Sequence, residues 1–457
     1  MPAGGRARPR PFSRNEPGRA PAPEFAALNT AAAVRERCGL VHRWVAAGRS
    51  PHFTLDESRL AVVAGFVAEV TREAYPDLKI PYHSRWRHFS AGGIDRWSVL
   101  EHFQEKWEPV FRPKMRSRKK TGAHSVSIET ECAPEARVAD PIERTRTAVD
   151  LATVSVLLDA GAGDAWRYRE RDTGLSLARS EGLAIASFDM FRAGGFSSDG
   201  LRPCRVDAAA LTAIDAATLA RHFQVAPDNP LVGLEGRGAL LHRLAAALAD
   251  HPDLFGRAPA RPGNVVDHFV ALSKGGRIPA ATLLATLIES LAAIWPSGLT
   301  VDGFALGDAG RHPAVRTDDA TAGIVPFHKL SQWLAYSLIE PLEAAGLTVT
   351  GLDALTALAE YRNGGLLVDL GAIRERAPLA SPLRHDSEPV VEWRALTVTL
   401  IDALLEPVRR ELGLDRTFTL PQLLQGGTWS AGRKIAQQLR PPDGPPPIAV
   451  AADGTVF

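Results

Sequence analysis

From residue 25 onward the apolar residues recur every three or four positions, and alternation at strand spacing is sparse. This periodicity constrains the fold more than any other feature. Ala and Leu, both strong helix formers, are abundant. Helices are predicted at about residues 29–47, 56–73, 142–160, 207–222, 231–250, 279–294, 322–340, 388–412 and 429–440. Asn29 and Thr30 precede the first of these, Asp207 precedes another, and Pro326 stands near the start of a helix that Pro341 is expected to close. Leu299 to Asp308 reads as a small hairpin about Asp302 and Gly303, and Ile448–Val450 with Gly454–Phe457 as a second. Strands do not alternate with helices, which disfavours a parallel α/β sheet. The expected fold class is mainly α, a multi-helix single domain over residues 25–457 with one or two short hairpins.

Two segments depart from this pattern. Residues 1–24 are rich in Pro, Arg, Ala and Gly and lack an apolar core, so a disordered tail is expected rather than a secretory signal. Residues 109–140 carry the basic run Arg112 to Lys120 and then small, polar and acidic residues, the composition of a mobile basic insertion. Pro441 to Pro447 reads as a stiff connector. With 53 basic and 52 acidic residues, the chain has no global field for nucleic acid, and none is expected as a partner. No apolar run reaches the roughly 18 residues of a membrane span, so no membrane partner is expected either. The three cysteines, Cys38, Cys132 and Cys204, are far apart and unpatterned. That disfavours a disulfide framework or a zinc ribbon and points to the reducing cytoplasm.

Chemistry-bearing residues gather in a few clusters. On the helix predicted within Gly323–Glu340, Phe327, Leu330, Leu334 and Leu338 form one apolar stripe, while Lys329, Gln332, Trp333 and Tyr336 form a second. One cation, one amide and two aromatics suit the wall of a pocket for a small polar molecule better than a solvated face. Pro81 to Phe89 packs Arg85, Arg87, His83, His88 and three aromatics into nine residues, a set suited to phosphate or ring contact. Arg179 to Asp189 opens with Ser180-Glu-Gly182, whose exposed amides are candidates for an anion. Asp228 to Arg237 holds Asn229 and Arg237 beside a turn. Arg311 to Ala320 contains Thr317, Asp318 and Asp319, expected to cap the following helix. Glu360, Tyr361, Arg362 and Asn363 stand together at an expected helix end before two glycines. No phosphate-binding P-loop, dinucleotide turn or nucleophile elbow occurs, and no cofactor is expected.

Several of these strings resemble the fungal and bacterial uracil-catabolism protein 4 family. They are His83 to Phe89, Val154 to Gly163, Ser180 to Gly182, Asp228 to Arg237, Phe327 to Gln332, Glu360 to Gly365, Val391 to Ala395 and Gly426 to Trp429. The likeness covers about residues 28–457 and implies a place in pyrimidine breakdown. Phe327 to Gln332 followed by Leu355 to Arg362, with Leu219 to Phe223 and Pro230 to Arg237, is also similar to the queuosine-salvage family. That family has a helical DNA-glycosylase-like fold and cleaves an N-glycosidic bond in a modified nucleotide. Ser337 stands where the likeness has Asp, and Glu360 where its Asp-Tyr-Arg begins.

The resemblance implies hydrolysis of an N-glycosidic bond in a ring-opened uridine derivative, a ribosylurea or its phosphate. A carboxylate must then face the positive anomeric carbon or activate water. Glu360 is the first catalytic candidate, with Asp319 and Asp189 behind it. Arg85, Arg87, Lys329, Arg362 and Arg237 are candidates for phosphate or carbonyl contact. Gln332 and Asn229 are candidates for urea-like groups, and Trp333, Tyr336 and Tyr361 for the ribose or base. Two other readings stay open: a non-catalytic binding partner of other uracil-degrading enzymes, and a metal-dependent amidohydrolase using His83, His88, His312, Asp318 and Asp319. No metal is expected.

Overall fold

The computed structural model describes residues 23–98, 140–295, 298–442 and 444–451. The basic run, nearly all of the insertion and most of the N-terminal tail lie outside the described residues. The fold is mainly α. Its principal helices are α1 (Ala31–Ala46), α2 (Leu60–Ala74), α3 (Arg85–Phe89), α4 (Pro141–Leu157), α5 (Arg179–Arg192), α6 (Leu234–Asp250), α7 (Ala280–Leu291), α8 (Lys329–Ala344), α9 (Tyr361–Asp369), α10 (Glu388–Ala403), α11 (Leu405–Leu412) and α12 (Trp429–Leu439). Among the described residues the strands make five two-stranded ladders and no larger sheet. One is the expected hairpin, β1 (Leu299–Val301) with β2 (Phe304–Gly307). Another pairs β3 (Ala309–Arg311) antiparallel with β4 (Ile324–Pro326). The second arm of the expected C-terminal hairpin, Gly454–Phe457, lies outside the described residues; Val450 of its first arm bridges Leu383 in parallel. No helix is long and apolar enough to cross a membrane among the described residues.

Local chemistry explains the boundaries. Thr30 caps α1 by accepting from Ala33 N, and Asp207 accepts from Ala210 N, as their positions predict. The segment expected as one helix over 207–222 breaks because Asp215 caps a second helix at Ala216, accepting from Thr218 N. The segment expected over 388–412 breaks after Ala403, where Pro407 has no N–H to offer its carbonyl.

The helix expected over 322–340 starts at Lys329 instead, since Ile324 and Val325 are spent on the β3–β4 ladder. Its cap is Asp308, whose carboxylate accepts Lys329 N at 2.9 Å. Thr317 and Asp319 close a turn inside the β3–β4 connection and cap nothing on α8. Pro341 does not close α8 but lies within it. A proline cannot donate to the carbonyl four residues back, here Ser337 O, and Trp86 Nε1 fills that vacancy at 2.8 Å. Ser337 Oγ accepts Arg85 N at 2.9 Å. The proline thus creates the seat on which α3 docks and fixes where Arg85 stands.

The pair Gly364 and Gly365 does not terminate a helix. Glu360 starts α9, and the helix runs through both glycines. A Cβ on Gly364 would lie 2.7 Å from Trp393 and Thr397 of α10. The glycine therefore serves close packing, a need that adjacent sequence does not reveal. Its counterpart on α12 is tighter still, because a Cβ on Gly432 would lie 2.1 Å from the Arg362 carbonyl. Gly432→Ala is expected to cost about 3 kcal/mol in denaturant unfolding, since backbone stands in the way. An unchanged midpoint would show that α9 and α12 part without cost.

The main apolar core extends from Ala31 to Ile448 and includes α2, α4, α6, α7 and α8. All of α8 but its ends and Glu340 is buried, so its other polar side chains must find partners inside the protein.

Candidate active site

The helix ends deliver charged groups to one place. Arg85, wholly buried on α3, donates from Nε to Ser155 Oγ at 2.7 Å and from Nη1 to the Ser180 carbonyl at 3.2 Å. Nη1 also stands 2.9 Å from Asp159 Oδ1, just past the end of α4. Its guanidinium lies 5.4 Å from the ring centre of Trp333 on α8. Burial lowers the Arg85 pKa, opposed chiefly by Asp159. Burial raises the Asp159 carboxyl, with Arg85, Ser180 and Lys329 opposing.

Lys329, on the first turn of α8, sits within the fields of Glu360 and Asp159 as well as the Asp308–Arg394 pair. Burial and Arg394 lower its pKa, and the carboxylates pull it back up. Glu360 caps α9, its two oxygens accepting Arg362 N at 2.8 Å and Asn363 N at 2.5 Å. Burial raises its pKa against those bonds and against Lys329. Tyr361 follows under the influence of Arg362, Glu360 and Arg179. Across the site Arg433 of α12 pairs with Glu181 of α5 at 3.0 Å and lies 5.8 Å over the Trp429 ring.

The floor is aromatic and neutral. His83 stacks on Trp333 at 6.1 Å, and His88 meets it edge-on at 5.6 Å. Burial pushes the His83 pKa down to about 4. His88 falls well below the usual value through burial and then the nearby Arg85. Arg85 can only donate, so its 3.4 Å contact makes His88 Nδ1 an acceptor. His83 Nδ1 donates to Gln425 Oε1 at 3.1 Å. Gln425 belongs to a π-helical turn, Leu424–Thr428, that leads into Trp429. Arg85, His83, His88 and Trp333 are buried and the Asp159 side chain is only 6% exposed, whereas Ser180, Glu181, Lys329, Glu360, Tyr361, Trp429 and Arg433 are partly exposed. A sealed polar floor beneath a partly open charged rim has the form of a small-molecule site. Two backbone positions beside the rim hold non-glycine residues in the left-handed region, Arg179 at φ 52° and His328 at φ 49°.

Thus Glu360, Tyr361, Lys329, Trp333 and Arg85 come together. The other expected residues do not join them as site groups. Asp319 is exposed and held by Thr317 and Thr321. Asp189 accepts the Tyr168 hydroxyl at 2.8 Å and pairs with Arg192. Arg87 pairs with Glu340 at 2.5 Å, lining a groove of about 480 Å³ on the side of α3 that Trp86 and Phe89 share. In that groove the facing charges of Arg87 and Glu340 neutralise each other. Asn229 fixes the backbone of Arg167, and Gln332 and Tyr336 fix that of Thr356. The stripe of Lys329, Gln332, Trp333 and Tyr336 therefore splits: Lys329 and Trp333 face the site, and the other two bind a core loop. Arg362 is buried, donates to the Gly444 carbonyl and covers the Tyr361 ring at 4.9 Å. Arg237 is wholly buried and donates to the carbonyls of Leu158, Ala160, Gly161 and Val232. It positions the loop that carries Asp159.

The residues proposed for a metal are scattered. His312 bonds Glu392 at 3.0 Å inside the protein, and no group of three His, Cys, Asp or Glu suited to a metal occurs among the described residues. Asp159, Glu181 and Arg433 were missed as site residues. Asp159 and Glu181 fall within recognised strings, but nothing in their local pattern marks them as facing Arg85.

A family model described as a protein of unknown function (DUF1688) matches residues 27–128 and 120–457. The chain belongs to this family. Two relatives agree over nearly full length. Uracil catabolism protein 4 of Lachancea kluyveri is 35% identical over 441 residues, covering 90% of this chain and 93% of the relative. Protein urg3 of Schizosaccharomyces pombe is 38% identical over 415 residues, covering 89% and 92%. The resemblance to the uracil-catabolism protein 4 family is therefore membership. Both stretches that supply the DUF1688 cluster, residues 83–89 and 159–433, lie within the matched regions.

Proposed function

We propose that this chain acts in uracil breakdown and hydrolyses the N-glycosidic bond of a ring-opened uridine derivative, a ribosylurea or its phosphate. The pathway rests on the Lachancea kluyveri relative, a uracil catabolism protein by name. The reaction rests on one observation: Lys329 lies in the fields of both Glu360 and Asp159, Asp159 pairs with Arg85 beside Trp333, and burial raises both carboxyls. The likeness of Phe327–Gln332 and Glu360–Arg362 to the queuosine-salvage motifs supports the same bond type.

In this reading Glu360, oriented by two backbone amides, faces the anomeric carbon. Water adds its oxygen to that carbon as the carbon–nitrogen bond breaks. Glu360 takes one water proton, and the bonding pair leaves with the ureido nitrogen. That nitrogen regains a proton to give urea, so one water is consumed and sugar and urea are released. The developing positive charge on the sugar favours a nearby carboxylate. Lys329 balances the two carboxylates, and Tyr361 and Trp429 offer ring faces to the sugar at the rim.

Incubation of the purified protein with ribosylurea, its 5′-phosphate and uridine monophosphate, followed by chromatography and urea quantitation, tests this. Equimolar sugar and urea are expected from a ribosylurea. Folded protein that releases neither from any of the three removes the proposal.

A further inference from the structure

Two buried donors on the floor of the site have no acceptor. Arg85 Nη2 and Trp333 Nε1 each lie out of solvent without a hydrogen-bond partner among the described residues. Arg85 is 0% and Trp333 5% exposed, and the guanidinium is 5.4 Å from the indole ring. A buried N–H left unpaired is costly, and such groups are rare unless something completes them. The other Arg85 nitrogens are engaged: Nε by Ser155, and Nη1 by Asp159, Ser180 and His88.

The charge of the floor limits what the missing acceptor is. Arg85 is already balanced by Asp159. The two imidazoles beside Trp333 accept from Arg85 or donate to Gln425 as neutral rings. A second full anion there would be a surplus charge in a buried place, which is expensive. A neutral oxygen with two lone pairs satisfies both donors without disturbing that balance. We infer that Arg85 Nη2 and Trp333 Nε1 receive the carbonyl oxygen of a neutral ureido or amide group on the ligand. The inference rests on the proposed function for the reaction but not for the binding. In the hydrolysis, the ureido group gains electron density as the carbon–nitrogen bond breaks. Donors fixed on its oxygen then bind the transition state more strongly than the ground state.

The test uses binding, so that it does not depend on turnover. Glu360→Gln serves as a slow background, and a second protein adds Trp333→Phe, which keeps the ring and removes the N–H. Two probes are titrated by calorimetry: ribosylurea, and ribosylguanidine, in which an N–H donor group replaces the carbonyl oxygen. Ribosylurea is expected to bind the Glu360→Gln protein and to lose roughly ten- to a hundredfold on adding Trp333→Phe. Ribosylguanidine is expected to bind weakly and equally to both. The indole ε1 proton of Trp333, assigned by its disappearance in the Trp333→Phe protein, is expected to shift downfield with ribosylurea alone. Equal ribosylurea affinity in the two proteins, equal binding of the two probes, or no ribosylurea binding by folded protein overturns the inference. If ribosylurea binds with these signatures while wild-type protein leaves it intact, the carbonyl pocket stands and the hydrolytic reading falls.

Discussion

Glu360→Gln is expected to lower turnover of a ribosylurea by roughly a hundred- to ten-thousandfold, the range spanned by a lost general base, while ligand binding persists. The side chain has two duties that the substitution separates. As the cap of α9 it accepts Arg362 N and Asn363 N, and an amide oxygen retains part of that role. The expected stability loss is therefore about 1 kcal/mol, the usual scale of a weakened cap. As a base it must be ionised, and the amide cannot be. The pH profile carries a second signature. Burial raises the Glu360 pKa, so activity is expected to fall as pH drops through a value above the ordinary carboxylate range. It should be flat on the alkaline side of that value. Lys329 holds the shift in check, and Lys329→Met should move the acid limb further up in pH. Turnover by Glu360→Gln equal to wild type would transfer the base role away from Glu360. Asp159, the carboxylate paired with Arg85, would be the next to substitute.

What the sequence shows of this site follows from how the site is built. Helical class, most helix positions, and the β1–β2 hairpin are local properties, and periodicity and turn residues carry them. The pocket is a tertiary property. Lys329 and Trp333 are legible as unusual residues on an otherwise apolar helix, but so are Gln332 and Tyr336. Only the position of Thr356 decides which pair serves a loop. Glu360 was legible as chemistry and misread as structure, since Gly364 and Gly365 imitate a helix end. The contact that explains Gly364 lies on α10, 29 residues away at Trp393. Asp159 was illegible for a related reason: its partner Arg85 stands on α3, whose Trp86 docks on the Ser337 carbonyl that Pro341 frees on α8. Pro341 looked like a helix terminator by every local rule. Its interior position matters because Trp86 supplies the missing donor.

The second large effect concerns acid. His83 is buried against Trp333, and burial lowers its pKa from 6.5 to about 4. Between those values the unfolded chain binds a proton at this site that the folded chain does not. The unfolded state therefore holds more protons, and stability must fall as pH falls through that window. A shift of this size corresponds to about 3 kcal/mol, all present above pH 6.5 and all lost near pH 4. His88, whose pKa also lies well below its usual value, adds in the same direction. Asp159 and Glu360 act oppositely, because carboxyls with raised pKa values gain protons on folding as pH falls toward the carboxylate range. They offset part of the loss, and the part that His83 contributes is expected between pH 6.5 and about 4. Thermal midpoints measured across that range should fall for the wild type and fall less for His83→Gln, which cannot take up the proton. Parallel curves for the two proteins would show that His83 is not the group that titrates. The same titration acts on the ligand site. A protonated His83 or His88 places a cation beside Arg85, and burial, followed by Arg85 itself, holds His88 neutral. The floor can present two spare N–H groups to a neutral carbonyl only while both imidazoles stay uncharged. Because His83 stays neutral in the folded protein down to about pH 4, loss of ribosylurea affinity should begin only near that pH, below the window in which stability starts to fall.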